Sequence, residues 1–213
     1  MKHIVWDWNG TLLNDRDAVL GATYEVFRGT EADGVTAEQV VAAYTRPIWV
    51  TYEALLGRPL REGEWERLDA LFHDHYERLF AEALLAVDAQ RALTLWEGAG
   101  RTQSILSMAG HDHLVLTVEK FGITPFFRRV DGLRGAAGGG KAEHMAVHVA
   151  QLGVDPADVL VIGDAADDAV AAAHVGAHAV LYTGGMQRRE ELELAGVPVL
   201  DSLIEALAFA GVS

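Results

Sequence analysis

The chain is 213 residues long, half of them apolar, 23% charged and only 5 of them proline. That is enough to bury one sizeable α/β core with room for an insertion, and it excludes a disordered or collagen-like chain. Seventeen basic against 31 acidic residues give a net charge of −14, a field that repels nucleic acid and anionic membrane. The absence of cysteine excludes disulfides, thiolate metal sites and a cysteine nucleophile. No stretch approaches the roughly 18 uncharged apolar residues of a membrane span. The start of the chain is too quickly interrupted by Asp7 to read as a signal peptide. The expectation is a cytoplasmic protein, monomer or homodimer, with neither nucleic acid nor membrane as partner.

In chain order, His3 to Trp8 reads as a buried strand running into the Asn9-Gly10 turn. From Asp15 to about Ala86 the signals are all helical. Thr36 to Gln39 resembles a capping box, and its helix should break near Arg46-Pro47. Trp49, Tyr52, Leu55 and Leu56 share one helical face, closed by Gly57 and Pro59. Trp65, Leu68, Leu71, Phe72, Tyr76 and Leu79 mark another amphipathic helix.

Alternation then resumes. Asp88 caps a helix to Glu97, and Gln103 to Ser107 is a strand. His111 to Phe121 is a helix, and Phe126 to Val130 a short strand. Gly138 to Gly140 precede a helix from Lys141 to Leu152. Asp158 to Ile162 is a strand entering Gly163-Asp164, and an Ala-rich helix covers Ala165 to Val175. Ala177 to Leu181 is the next strand. A weak helix near Arg188 to Leu194, a strand at Val197 to Leu200 and a helix from Ser202 close the chain. This pattern predicts an α/β fold with a doubly wound parallel, Rossmann-like sheet. The core would comprise residues 1–14 and 87–213, and residues 15–86 would form an inserted all-helical cap. Ligands of such sheets sit beyond the carboxyl ends of the strands.

Those ends deliver a consistent chemistry. The first gives Asp7, with Gly10 and Thr11 behind it, and the second gives Ser107. A glycine run delivers Lys141 at a helix start. The DVLVI strand delivers Asp164, with Asp167 and Asp168 close behind. Carboxylates, a hydroxyl and an ammonium on one edge suit a hard cation and phosphoryl oxygens.

Asp7-Trp-Asn-Gly-Thr-Leu12, Ser107, Lys141 and Gly163-Asp-Ala-Ala-Asp-Asp168 resemble, in order, the four motifs of the haloacid dehalogenase-like hydrolases. The phosphoglycolate phosphatase-like branch is the nearest in pattern. The resemblance implies Asp7 as the nucleophile that forms an aspartyl-phosphate. It implies Mg²⁺ held by Asp7, the Asn9 carbonyl and Asp164, with Asp168 holding a metal-bound water or orienting Lys141. Ser107 and Lys141 would bind phosphoryl oxygens, with Gly10 and Thr11 completing the cradle. Phosphatases of this family usually carry a second Asp two residues after the nucleophile, as general acid and base; here that position is Asn9, which transfers no proton.

The implied activity is hydrolysis of a small phosphorylated metabolite. The Asn9 substitution keeps open a phosphate-binding or regulatory protein with impaired turnover. A metal-independent dehalogenase would not need Asp164 and Asp168. A phosphonate-cleaving relative would need a cap lysine, and residues 15–86 contain none. His144 and His148 have a zinc-like spacing without a third ligand. They read as surface or packing residues, and Trp49, Tyr52 and Trp65 as core of the helical block rather than substrate contacts. Trp8 should point away from Asp7. His111 and His113 read as solvated helix-start capping, and His73 and His75 lie in the cap helix, where one could face substrate.

Overall fold

The computed structural model describes residues 1–134 and 140–212; Gly138 and Gly139 of the glycine run lie outside them. Its contacts divide into two units. One contains Met1–Asn14, Leu85–Gly185 and Arg189–Ser213; the other contains Asp15–Leu84 and Met186–Arg188.

The chain opens with β1 (His3–Trp6) and a short β2 (Leu13–Asn14). It then enters the helical unit of α1 (Arg16–Phe27), α2 (Ala37–Ala43), α3 (Ile48–Leu56) and α4 (Glu64–Phe80). The Thr36 capping box forms: the Gln39 N–H donates to Thr36 Oγ1 (3.2 Å) and the Thr36 N–H to Gln39 Oε1 (2.8 Å). Phe27, Tyr52, Leu56 and Leu68 fill this unit's interior, with the Tyr52 ring edge-on to Phe27 at 5.1 Å. Tyr52 and Trp65 therefore pack as expected, but Trp49 is 43% exposed. It lies on the same side of α3 as Tyr52, i and i+3 apart, but in the helix's first turn, where it is left outside the packed interior. Met186, distant in sequence, joins Leu20 and Val40 in a second apolar cluster of this unit.

The block read as all-helical ends in a short strand, β3 (Leu84–Leu85). Inside the first unit the Ala86 N–H then donates to the Leu12 carbonyl (2.9 Å). The chain continues through α5 (Ala89–Gly98), β4 (Thr102–Gly110), α6 (His111–Lys120) and β5 (Val130–Leu133). It finishes with α7 (Lys141–Leu152), β6 (Val159–Gly163), α8 (Ala166–Val175), β7 (His178–Tyr182), α9 (Arg189–Glu193), β8 (Val199–Leu200) and α10 (Leu203–Phe209).

The first and last strands are each two residues shorter than the sequence reading, and two boundaries around β4 and β5 differ more. The strand expected at Phe126 to Val130 starts only at Val130. Thr124–Phe126 is a 3₁₀ turn instead, because Pro125 presets a helical φ and has no N–H for a ladder. The β4 strand also runs three residues past Ser107, with an irregularity against β5 between Leu106 and Gly110.

The six-stranded sheet has the order β5-β4-β1-β6-β7-β8, and every pair is parallel. The chain builds outward from β1 to β5 and then returns to the other side of β1, so the switch point lies between β1 and β6. Crevices at such switch points receive ligands in doubly wound sheets. Met145 and Val149 of α7 and Ala169, Ala171 and Ala172 of α8 bury one face against Val5, Val161 and Leu181. Packing of this kind supplies most of a helix's stability.

A polar chain runs through the same face. The Asp131 carboxylate accepts from His148 Nδ1 (2.7 Å), and His148 Nε2 lies 2.8 Å from Ser104 Oγ. The Ser104 hydroxyl is in turn 2.8 Å from His3 Nε2, whose ring Nδ1 meets Thr102 Oγ1 at 2.7 Å. Although this contains a serine, a histidine and an aspartate in line, Ser104 is fully buried and His148 is 1% exposed. No substrate reaches the hydroxyl, and the chain is a structural network. Burial, reinforced by His148 and Arg128, pushes His3 down to about 4 from the ordinary 6.5.

Below pH 6.5 the unfolded His3 binds a proton that the folded one refuses, so stability falls as pH drops from 6.5 toward 4. Between pH 7 and pH 5 the wild type should lose about 2 kcal/mol more than His3→Gln, at 1.36 kcal/mol per pH unit. Urea unfolding of both proteins at the two pH values measures the difference. Equal losses would contradict a buried neutral His3.

Candidate active site

The ladders fix where each strand end lies. Trp6 is level with Ile105 of β4 on one side and Ile162 of β6 on the other. Asp7 follows directly, its N–H donating to the Ile162 carbonyl (2.8 Å). Ser107 and Asp164 are each two residues beyond those partners, so Asp7, Ser107 and Asp164 emerge on three adjacent strands at one edge. The chain then folds back tightly: the Thr11 and Leu13 N–H groups both donate to the Trp8 carbonyl, and the Gly10 N–H to that of Leu13. Gly10 has φ +75, where an L side chain is strained. Trp8 turns away from the edge, 1% exposed, its ring 6.2 Å from that of Phe121.

Lys141 opens α7 and is buried, its Nζ 2.8 Å from Asp7 Oδ1 and 2.5 Å from Asp168 Oδ1. It therefore spans two carboxylates. The other Asp168 oxygen accepts from the Ala165 N–H (3.2 Å), capping α8 as well as facing the site. Burial alone would lower the Lys141 ammonium, but Asp168, then Asp7, then Asp167 outweigh it and raise it above the ordinary lysine value. Asp168 is pushed up to about 7, by burial first and then by Asp7 and Asp167, against the opposing pull of Lys141. Burial together with the neighbouring carboxylates thus outweighs the ammonium beside Asp168.

Asp7, Asp164 and Asp168 each offer an oxygen, all within 4.8 Å of one another, and all three residues are buried. An all-oxygen donor set with a surplus of negative charge fits a hard divalent cation such as Mg²⁺. Thr11 is fully buried and its hydroxyl lies 3.5 Å from Asp164 Oδ1. Ser107 Oγ accepts from the Ala109 N–H (3.1 Å), which leaves the hydroxyl proton to donate outward. Asn9 is half-buried.

Other residues noted in the sequence stand apart. His148 commits both ring nitrogens to the polar chain under α7, so it is no partner for His144 at a zinc. His111 Nδ1 accepts from the Gly132 N–H (3.2 Å), tying β5 to the start of α6. His73 lies on the α4 surface, 3.6 Å from Asp69. The sequence reading missed Gly185, whose backbone lies against Asp164. Its only sequence signal is the Gly184-Gly185 pair after β7.

A family model described as HAD-hydrolase-like matches residues 138–206, the part that carries Lys141, Asp164 and Asp168. No curated protein matches the chain by sequence. Solved structures match it over nearly their whole length. A haloacid dehalogenase-like hydrolase from Streptococcus pneumoniae aligns with a TM-score of 0.83 at 16% identity, covering 98% of each chain. A predicted phosphoglycolate phosphatase from Haemophilus somnus gives 0.78 at 18%, covering 99% of this chain and 98% of its own. A predicted phosphatase from Clostridium acetobutylicum gives 0.78 at 16%, covering 98% and 97%. The chain has the fold of the haloacid dehalogenase-like hydrolases, and its residues 138–206 match a sequence model of that family.

Proposed function

We propose that the protein is a Mg²⁺-dependent phosphohydrolase that acts on a small phosphorylated metabolite through an aspartyl-phosphate on Asp7. The observation that carries this reading is the meeting of Asp7, Lys141, Asp164 and Asp168 in one buried cluster at the sheet's switch point. An Asp7 carboxylate oxygen attacks phosphorus, and the bond from phosphorus to the leaving oxygen breaks with its electron pair. Lys141 holds Asp7 in place and offsets negative charge on the incoming phosphoryl group, while the Ser107 hydroxyl donates to one of its oxygens. Water then attacks the same phosphorus, frees Asp7 and releases inorganic phosphate. Asp7, Asp164 and Asp168 would hold the Mg²⁺, which when bound draws charge from the phosphoryl oxygens.

Asn9 shapes the substrate range. Its amide donates a hydrogen bond but gives no proton to a departing alkoxide, so leaving groups that are stable as anions are favoured. Acyl and aryl phosphates should release phosphate readily, and alkyl phosphates slowly, all of them only with Mg²⁺. Release that ignores a chelator would contradict the proposal. The same Asn9 supports a second reading, a phosphate-binding protein without turnover. That reading is favoured if phosphate and Mg²⁺ bind but no phosphate ester or acyl phosphate is cleaved.

A further inference from the structure

The Asp164 carboxylate sits in a slot between two backbone segments far apart in the chain. A Cβ on Gly10 would lie 2.4 Å from Asp164 Oδ2, and one on Gly185 only 1.7 Å from the same oxygen and 2.5 Å from Cγ. Gly10 is constrained twice, by this approach and by its positive φ. Gly185 has no positive φ, so its φ does not itself demand glycine. The nearest atoms that a side chain there would meet all belong to Asp164.

We infer that Gly185 is a positioning residue, whose bare backbone seats the Asp164 carboxylate facing Asp7 and Asp168. A methyl group there displaces the Asp164 side chain from the slot, and since it would also meet the Asp164 Cβ at 2.7 Å, rotation of the carboxylate alone does not relieve the clash. Both glycines lie in loops, Gly10 in the one after β1 and Gly185 in the one after β7. The role of Asp164 as a metal ligand rests on the proposed function, whereas the seat itself rests on the geometry.

The test is Gly185→Ala, alone and combined with Asp164→Gly, read by calorimetric Mg²⁺ titration and by thermal unfolding without metal. Asp164→Gly is the right partner because even the Asp164 Cβ would lie 2.7 Å from the added methyl. Gly185→Ala should weaken Mg²⁺ binding at least tenfold. It should also lower the melting temperature in the wild-type background but not in the Asp164→Gly background. Unchanged Mg²⁺ affinity, or an equal melting loss in both backgrounds, would overturn the inference. If the wild type itself takes up no Mg²⁺, the metal reading fails, and the melting cycle alone decides whether the seat exists.

Discussion

Asn9→Asp should raise hydrolysis of alkyl phosphates by about 10²–10⁴-fold, the range that a positioned general acid and base contributes. Residue 9 follows the nucleophile by two positions on a loop pinned by the Trp8 and Leu13 carbonyls. The added carboxyl therefore starts from a fixed backbone beside the reacting group. The gain should be much smaller for aryl and acyl phosphates, whose leaving groups need little protonation. Comparing alkyl and aryl kcat/KM for the two proteins isolates the effect. Equal gains on both substrates, or none with the fold intact, would show that proton transfer at residue 9 does not limit turnover.

Lys141→Met should cost both stability and activity. The ammonium lies between Asp7 and Asp168 in a buried site, and a methionine leaves two carboxylates facing each other without it. Breaking a buried ion pair from one side typically costs about 3–5 kcal/mol. Protonation of Asp168, already pushed up to about 7, brings the expected loss without metal toward the lower end. Adding Asp168→Asn to Lys141→Met should recover part of that stability, since it removes the stranded charge, yet should recover no turnover. Urea unfolding and phosphate release of the single and double variants measure both quantities. A Lys141→Met protein as stable as the wild type would contradict the geometry described for this ammonium.

The strands that build the site were legible because buried parallel strands read as short apolar runs, each ending in a polar residue. HIVW ends at Asp7, SIL at Ser107 and VLVI at Gly163-Asp164. Spacing alone placed these residues at one edge, since a doubly wound sheet aligns its carboxyl ends. What stayed hidden depends on partners distant in sequence. The His3, Ser104, His148 and Asp131 chain joins four segments, and the i, i+4 spacing of His144 and His148 carries no sign of it. Gly185 is distinguished from an ordinary turn glycine only by Asp164, 21 residues earlier. The start of β5 was misplaced because two adjacent phenylalanines mimic a strand, while Pro125 commits the chain to a 3₁₀ turn. Helical spacing groups Trp49 with Tyr52 and Leu56, but spacing does not show that Trp49, in the first turn of α3, lies outside the packed interior.

The most direct test of the central claim is phosphate release from an aryl phosphate by the wild type and by Asp7→Asn, each with saturating Mg²⁺ and with chelator. An amide at residue 7 retains the shape of the side chain but removes the nucleophile, whereas the fold and the remaining phosphate contacts persist. Wild-type release that requires Mg²⁺ and falls at least 10³-fold in a folded Asp7→Asn protein is the predicted result. Release by Asp7→Asn at a rate near that of the wild type would contradict an aspartyl-phosphate on Asp7.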